Sequence, residues 1–342
     1  MSRLLPRRRA RRSPALRPVL ATLLLMAGPL TAAAPADAPF LWRNSAAFTA
    51  PAGLPRARSA RLPAQGTTSL ALATEVASQF SQDAEADAAA VIDVETTTFL
   101  LSLDHGFTER WSAGLELPLL HHDGGFLDSI IDDYHDLLGL PDGGRPSRPN
   151  NEVFVAWRDG ALLRRSLISS ASGVGDVRVH VARALTTAPE RTTALRLGVE
   201  LPTGRVRDLT GNDGVDLSVA LHVTDRRLLR SSAWTVHGAA GVLVQLDRDE
   251  VYGRDGESFA AFGNLSLAWR LSERWTLKGQ LDGHSRTADT RLRQVGGWSV
   301  QALLGASLRL SDRFRFEGGF AEDLPPGSAP DVAFLFALRG EL

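Results

Sequence analysis

The chain has 342 residues, a formal net charge of −1 and no cysteine, which excludes a disulfide framework, a thiolate metal site, a cysteine nucleophile and a lipid-modified N-terminal cysteine. Seven arginines and no acid fall within the first 36 residues, so the remainder is acidic and lacks the basic surface a nucleic-acid partner requires.

Residues 1–36 read as an export signal. Arg3, Arg7, Arg8, Arg9, Arg11, Arg12 and Arg17 precede an apolar run, Val19 to Leu30, too short to cross a bilayer comfortably. Ala34-Pro35-Ala36 is a small-x-small cleavage pattern, with Asp37 as the expected mature start. Arg11-Arg12 lacks the fuller twin-arginine consensus, which favours the ordinary secretory route. Residues 37–66 are rich in Pro and Ala and contain Pro39-Phe40-Leu41-Trp42-Arg43-Asn44. They suit either a periplasmic tail or a plug folded into a lumen.

From residue 67 the dominant period is two. No apolar run of roughly eighteen residues follows the signal, which excludes a helical membrane protein but not a β-barrel. Strands are expected near 67–80, 91–104, 110–120, 174–186, 192–203, 214–224, 232–246, 257–271, 274–283, 296–310, 313–321 and 331–342. A further hairpin at 151–167 would raise twelve strands to fourteen. Along 298–310, Trp298, Val300, Ala302, Leu304, Ala306, Leu308 and Leu310 share one face, and Ser299, Gln301, Ser307 and Arg309 the other. The strand containing Val177, Val179 and Val181 puts Arg183 on its apolar face, near a membrane edge where a long cation can snorkel. These strands often exceed ten residues, whereas soluble strands average about five or six and a tilted bilayer crossing takes about nine to eleven.

Short polar turns closed by an aromatic (105–111, 271–275 and 310–314) alternate with long connections at 81–91, 122–150, 204–214, 246–257, 283–296 and 324–330. That alternation predicts short periplasmic turns, long outer loops and both termini on the periplasmic side. Trp111, Trp234, Trp269, Trp275 and Phe314 then fall at periplasmic strand ends and Trp298 at an outer one, as interfacial aromatics do. The expected fold is an all-β, antiparallel transmembrane barrel of about twelve strands.

The loop 122–150 carries Phe126, Ile130, Ile131, Tyr134, Leu137 and Leu138 at helical spacing, predicting a short amphipathic helix that stops at Gly139 and Pro141 and lids the barrel. His121, His122, Asp123, Asp128, Asp132, Asp133, His135 and Asp136 invite a divalent-ion reading, with Asp128, Asp132 and His135 on one helix face. A solvated face, with Asp128 capping the helix or pairing with Arg145, is the favoured alternative, so no metal or other cofactor is expected.

Inward-facing charges of both signs are expected at Arg178, Arg196, Glu200, Asp216, Arg270, Lys278, Asp282, Arg309, Arg315, Glu317 and Arg339. They would suit a selective pore and a lumen held shut by ion pairs equally well. Inward-facing His180, His222 and His237, with Ser218 and Asp216, supply the ingredients of a hydrolase, but nothing in the sequence sets their distances, and no catalytic residue is expected. Gly173-Val174-Gly175-Asp176 starts a strand with no helix to receive an anion, and reads as a tight turn with an Asp cap.

Gly124-Gly125-Phe126-Leu127-Asp128, His135, Gly143-Gly144-Arg145, Gly173-Val174-Gly175-Asp176 and Leu201-Pro202-Thr203-Gly204 occur in the order seen in an uncharacterised Gram-negative exported family, domain of unknown function 3187, which the mature chain resembles over nearly its whole length. The Gly-x-Gly-Asp and Pro-Thr-Gly pieces are also similar to the barrel group associated with phenol-degradation pathways. The alternating C-terminal strand, Val332 to Leu342, resembles the signal read by the barrel-assembly machinery, with Leu342 where an aromatic is usual. The resemblance implies a Gram-negative outer-membrane barrel with outer-membrane lipid and the assembly machinery as partners, and supplies no activity. The leading expectation is passage of a small, hydrophobic-leaning solute. Alternatives are an envelope-lipid-modifying enzyme and a structural or adhesive barrel.

Overall fold

The computed structural model describes residues 35–128, 149–246, 251–324 and 327–342. In chain order the strands are β1 (Thr68–Glu85), β2 (Ala88–Thr108), β3 (Trp111–Asp123), β4 (Phe154–Asp159), β5 (Leu162–Leu167), β6 (Ala171–Val174), β7 (Val177–Thr187), β8 (Arg191–Leu201), β9 (Asp216–Asp225), β10 (Trp234–Gln245), β11 (Phe259–Arg270), β12 (Trp275–His284), β13 (Ser299–Arg309), β14 (Phe314–Asp323) and β15 (Val332–Glu341). β1 to β3 and β7 to β15 form an antiparallel ring of twelve, closed by β1 against β15 from Ser69↔Glu341 to Ser78↔Val332. Closure leaves no sheet edge within the wall, the condition for crossing hydrocarbon with strands.

The hairpin β4–β5 does not join the ring. The upper residues of β2, Ala88 to Asp93, pair with β4, while Glu95 to Thr108 pair with β3. β6 likewise sits on the outer end of β3, above β7. The barrel therefore closes on twelve strands, and the hairpin extends its wall beyond the ring. The expected long loop at 81–91 is absent. β1 and β2 continue in register up to Glu85↔Ala88, joined by Ala86 and Asp87 with Ala86 at φ 53°. Polar side chains there mimic a loop, but the segment is extended, and β4 continues the sheet beside it.

The short turns share a recipe because they share a hydrogen-bond pattern. Thr108 Oγ1 accepts from the Arg110 and Trp111 N–H groups, Ser272 Oγ from Arg274 and Trp275, and Ser311 Oγ from Arg313 and Phe314. Trp234 and Trp269, paired across β10 and β11, stack at 5.3 Å between centroids. Arg183 does point outward, with its guanidinium 5.4 Å from the Trp111 ring centre. Between the two ends the outward face is apolar and exposed, with Leu197, Leu221, Leu265, Leu281 and Leu304. A continuous belt of that kind suits lipid rather than water.

Candidate functional site: a lumen filled by the N-terminal segment

The segment preceding β1 enters at the periplasmic mouth, runs to the outer end of the barrel, turns and returns. Asp37 sits at the mouth, where its carboxylate accepts from Arg61 (2.6 Å), Arg226 (3.1 Å) and Thr235 Oγ1 (2.9 Å). Burial pushes this carboxyl up, but Arg61, assisted by His237 and Arg226, outweighs it and holds Asp37 well below the usual carboxylate range. Deeper in, Lys278 donates to the Ala38 carbonyl (3.0 Å), Arg339 to that of Pro39 (2.6 Å), and Phe40 N–H to Gln280 Oε1 (2.8 Å). Trp42 Nε1 donates to Gln301 Oε1 (3.1 Å), and Asn44 to the Ser328 carbonyl (2.8 Å). An extended chain in a polar tube must satisfy its backbone, and this one does so in part on the tube wall and in part on itself, as where Ala57 N–H donates to the Trp42 carbonyl (3.0 Å).

At the outer end the segment turns through the single 3-10 turn Ala50–Ala52 and Gly53, whose φ of 77° is in the left-handed region. The turn lies against an apolar cluster in which Phe48 meets Trp157 (ring centres 6.0 Å apart), with Ile92, Tyr252, Leu292 and Val295 around them. Tyr252 satisfies its hydroxyl by donating to the Phe48 carbonyl (2.7 Å). Arg178 donates to the Gly53 carbonyl and pairs with Glu200.

On the return the contacts are ionic. Arg56 pairs with Glu75 (3.3 Å) and Glu116 (3.9 Å), and Arg58 with Glu116 and Asp104. Asp104 also receives His180 (2.6 Å) and Arg196 (3.4 Å). Arg43, on the way up, faces Glu200 at 3.7 Å. At these contacts the segment supplies the arginines and the wall the carboxylates. Glu75, Asp104 and Glu116 were missing from the sequence-derived lining. Their signal was available: each opposes an apolar outward face on its own strand.

Of the lining expected from sequence, Arg178, Glu200, Asp216, Lys278, Glu317 and Arg339 are buried inside the barrel and Arg196 belongs to the Asp104 cluster. Lys278 pairs with Glu317 (2.7 Å), which also faces Arg339 (2.9 Å). Asp216 accepts from Asn212 (2.7 Å), and Asp282 from Gln280 (2.6 Å). Two residues differ from expectation. Arg309 turns to Asp312 at the periplasmic rim, and Arg270 donates to the Ser232 carbonyl there (3.2 Å), because both lie at strand ends beyond the filled lumen. Arg270 and Arg315, with Arg226, Arg227 and Arg230, line a vestibule of about 850 Å³ opening to the periplasm. Farther in, cavities fall to about 110 Å³ beside Arg58 and about 20 Å³ beside His222.

The family-motif turns come together at one place. Asp176 accepts from Gly204 N–H (2.7 Å) and Asn212 N–H (2.8 Å), while Thr203 Oγ1 donates to the Gly175 carbonyl (2.7 Å) and accepts from Val177 N–H (2.9 Å). Pro202 begins that turn, and a Cβ added at Gly173 would come into ordinary van der Waals contact with Thr210. In the motif loop, Glu95 accepts from Phe126 and Leu127 N–H, and Asp128 from Asn151 N–H (2.8 Å). Gly125, at φ 64°, passes so close to Glu95 that a Cβ would overlap it, and one at Gly124 would overlap the Asn151 backbone. His135, Arg145 and most of the expected helix lie outside the described residues.

The His/Asp cluster is divided by the strand itself. His122 points inward, between Thr96 Oγ1 (2.9 Å) and the Leu209 carbonyl (3.2 Å), whereas His121 and Asp123 point outward. Among the described residues no group of three His, Asp or Glu side chains is placed to hold a metal. The lumenal hydrolase ingredients do not assemble either. His222 meets the Arg58 carbonyl, His237 meets Thr224, and Ser218 meets Arg178.

The fold is similar to that of an outer-membrane channel from Pseudomonas putida F1, at 12% identity over 82% of this chain and 97% of that one, with a TM-score of 0.55. The NanC porin (9% identity, 80% of this chain, 100% of that one, TM-score 0.48) and the toluene transporter TbuX of Ralstonia pickettii (9%, 89%, 95%, 0.40) are more distant likenesses. No curated protein matches the chain in sequence. Residues 16–341 match the family model described as protein of unknown function (DUF3187), and this outer-membrane-type barrel belongs to that family.

Proposed function

We propose that the protein is a facilitator for small solutes in the outer membrane, closed at rest by its own N-terminal segment, which acts as a plug. The observation that carries this reading is the chemistry of the contact. Arg43, Arg56 and Arg58 of the segment meet Glu75, Asp104, Glu116 and Glu200 of the wall, and water could take over either side if the segment withdrew. A permanently packed interior would be expected to rely on apolar residues, since replacing buried ion pairs with them is often neutral or stabilising. The apolar cluster around Phe48, Trp157 and Tyr252 at the outer end supports an apolar or amphipathic solute, which would find there the surface the segment's turn now covers. The shared fold with a channel is in keeping with this.

Residues 1–36 are removed in this reading, and intact mass of the mature protein should place its start at Asp37. The gating is tested with a cysteine pair in a chain that has none. Ser59 Oγ and Thr224 Oγ1 lie 3.1 Å apart, so S59C/T224C should oxidise and lock the segment in place. In planar bilayers and liposome-uptake assays, wild type should open intermittently, the oxidised variant should stay silent, and reductant should restore openings. A heat-modifiable wild type that passes neither ions nor solute would reject the proposal.

A further inference from the structure

On the outside of the barrel, facing away from the lumen, three side chains meet at the upper end of β3. Ser172 Oγ lies 2.6 Å from His121 Nδ1, and Asp123 Oδ2 lies 2.9 Å from His121 Nε2. His121 and Asp123 are two apart on one strand and so share its outward face. Ser172 arrives on β6 directly opposite His121 in the register. The second Asp123 oxygen accepts the Gly125 N–H (3.0 Å), which orients the carboxylate. The Ser172 hydroxyl is exposed and the His121 side chain is 42% exposed, so an external carbonyl can approach both.

The row immediately below them on the same face is apolar. Phe99, Leu119 and Val174 are paired across β2, β3 and β6, and all three are exposed. Two residues of strand rise by roughly 7 Å. The polar trio therefore stands at the upper border of the lipid-facing belt, at the outer end of the barrel, where the ester linkages of an outer-leaflet lipid lie above its acyl chains.

We propose that Ser172, His121 and Asp123 form a nucleophilic triad that hydrolyses ester-linked acyl chains of an outer-leaflet lipid, with Phe99, Leu119 and Val174 supporting the chain. Such triads are recognised by geometry and role, not by sequence position. Asp123 holds the proton on His121 Nε2, leaving Nδ1 free to accept. Ser172 Oγ attacks the ester carbonyl and passes its proton to Nδ1. The tetrahedral intermediate collapses by breaking the acyl C–O bond, and His121 gives that proton to the leaving alcohol. A water then repeats the sequence on the acyl-serine: its proton goes to His121, its oxygen to the carbonyl, and Ser172 leaves with the proton returned. One water is consumed, and a fatty acid and a deacylated lipid are released. Ser172 and His121 are the catalytic residues, and Asp123 is a positioning residue. The proposal is independent of solute passage, because the opposite face of the wall is used.

The test uses the folded full-length barrel in detergent and in vesicles. A fluorescent fluorophosphonate should label Ser172, located by peptide mass spectrometry, and the label should vanish in S172A and H121A. Hydrolysis of a long-chain p-nitrophenyl ester should fall about 100-fold or more in both variants, to one common residual rate, since the groups act as a unit. D123N should lower the rate and move the acidic limb of its pH profile downward, which a merely structural aspartate would not do. Vesicles of phosphatidylethanolamine and phosphatidylglycerol, and separate ones carrying lipopolysaccharide, identify the lipid by which releases fatty acid. Heat-modifiable wild type that takes no label, hydrolyses the ester no faster than S172A, or releases fatty acid from neither vesicle would overturn the proposal.

Discussion

Arg58 is the tie whose loss should most clearly free the N-terminal segment. Its guanidinium spans Asp104 and Glu116 and also donates to Ser102 Oγ (2.8 Å), with all three ionic side chains about one-tenth exposed or less. Removing one partner from a buried pair costs about 3–5 kcal/mol. Asp104 retains His180 and Arg196, and Glu116 retains Arg56, so R58A should fall at the lower end, about 3 kcal/mol. That cost is borne by the closed arrangement, because withdrawal of the segment lets water reach both carboxylates. At about 1.4 kcal/mol per tenfold, open probability in single-channel recordings should rise on the order of 100-fold until it saturates. R58K keeps the charge but loses the planar fork, and should fall between wild type and R58A. If R58A folds with unaltered heat-modifiable mobility and opens no more often than wild type, the ion pairs do not hold the gate.

Three further outcomes follow from the same contacts. F48A should open a void in the apolar outer cluster, cost about 3–5 kcal/mol there, and raise entry of an apolar dye into vesicles; unchanged entry would mean that Phe48 does not seal the mouth. G53A places a side chain at φ 77° and against the Asp216 carboxylate, so the segment's turn should loosen by at least about 1–2 kcal/mol and become more sensitive to protease added on the outer side. Asp37 titrates below its ordinary range in the folded protein, so its contribution is present above about pH 4 and is lost as pH falls through the depressed value. Acidification below about pH 4 should therefore increase openings in wild type, and D37N should show more openings at neutral pH with a flatter response to acid.

The strands were legible because a wall between lipid and a polar interior imposes its chemistry on every second residue. The alternation at 298–310 reappears as β13, and that at 332–342 as β15. The three short turns at 105–111, 271–275 and 310–314 were legible as polar turns closed by an aromatic. Where polar residues fall on both faces, as at 81–91, the sequence predicts a loop and the structure instead continues β1 and β2. The lining is legible by parity but not by height, so Arg270 and Arg309 share the inward parity yet sit at the rim. Strand parity brings out lumenal His180, His222 and His237, whereas His121 and Asp123 face out and Ser172 lies 51 positions from His121.

Period, length and turn chemistry by themselves determined an antiparallel barrel of twelve or fourteen strands and which side chains face lipid, because those properties are local and repeat along the chain. Where residues 37–66 go, which acids their arginines meet, and that β4–β5 stays out of the ring were decided only by tertiary structure. Each depends on a partner far away in the chain: Arg58 finds Asp104 and Glu116 only once the ring has closed around it, and β6 finds β3 only where β7 leaves the upper end of β3 unpaired. A periodic pattern specifies a surface, but the filling of a closed space depends on shape and charge assembled from every strand at once.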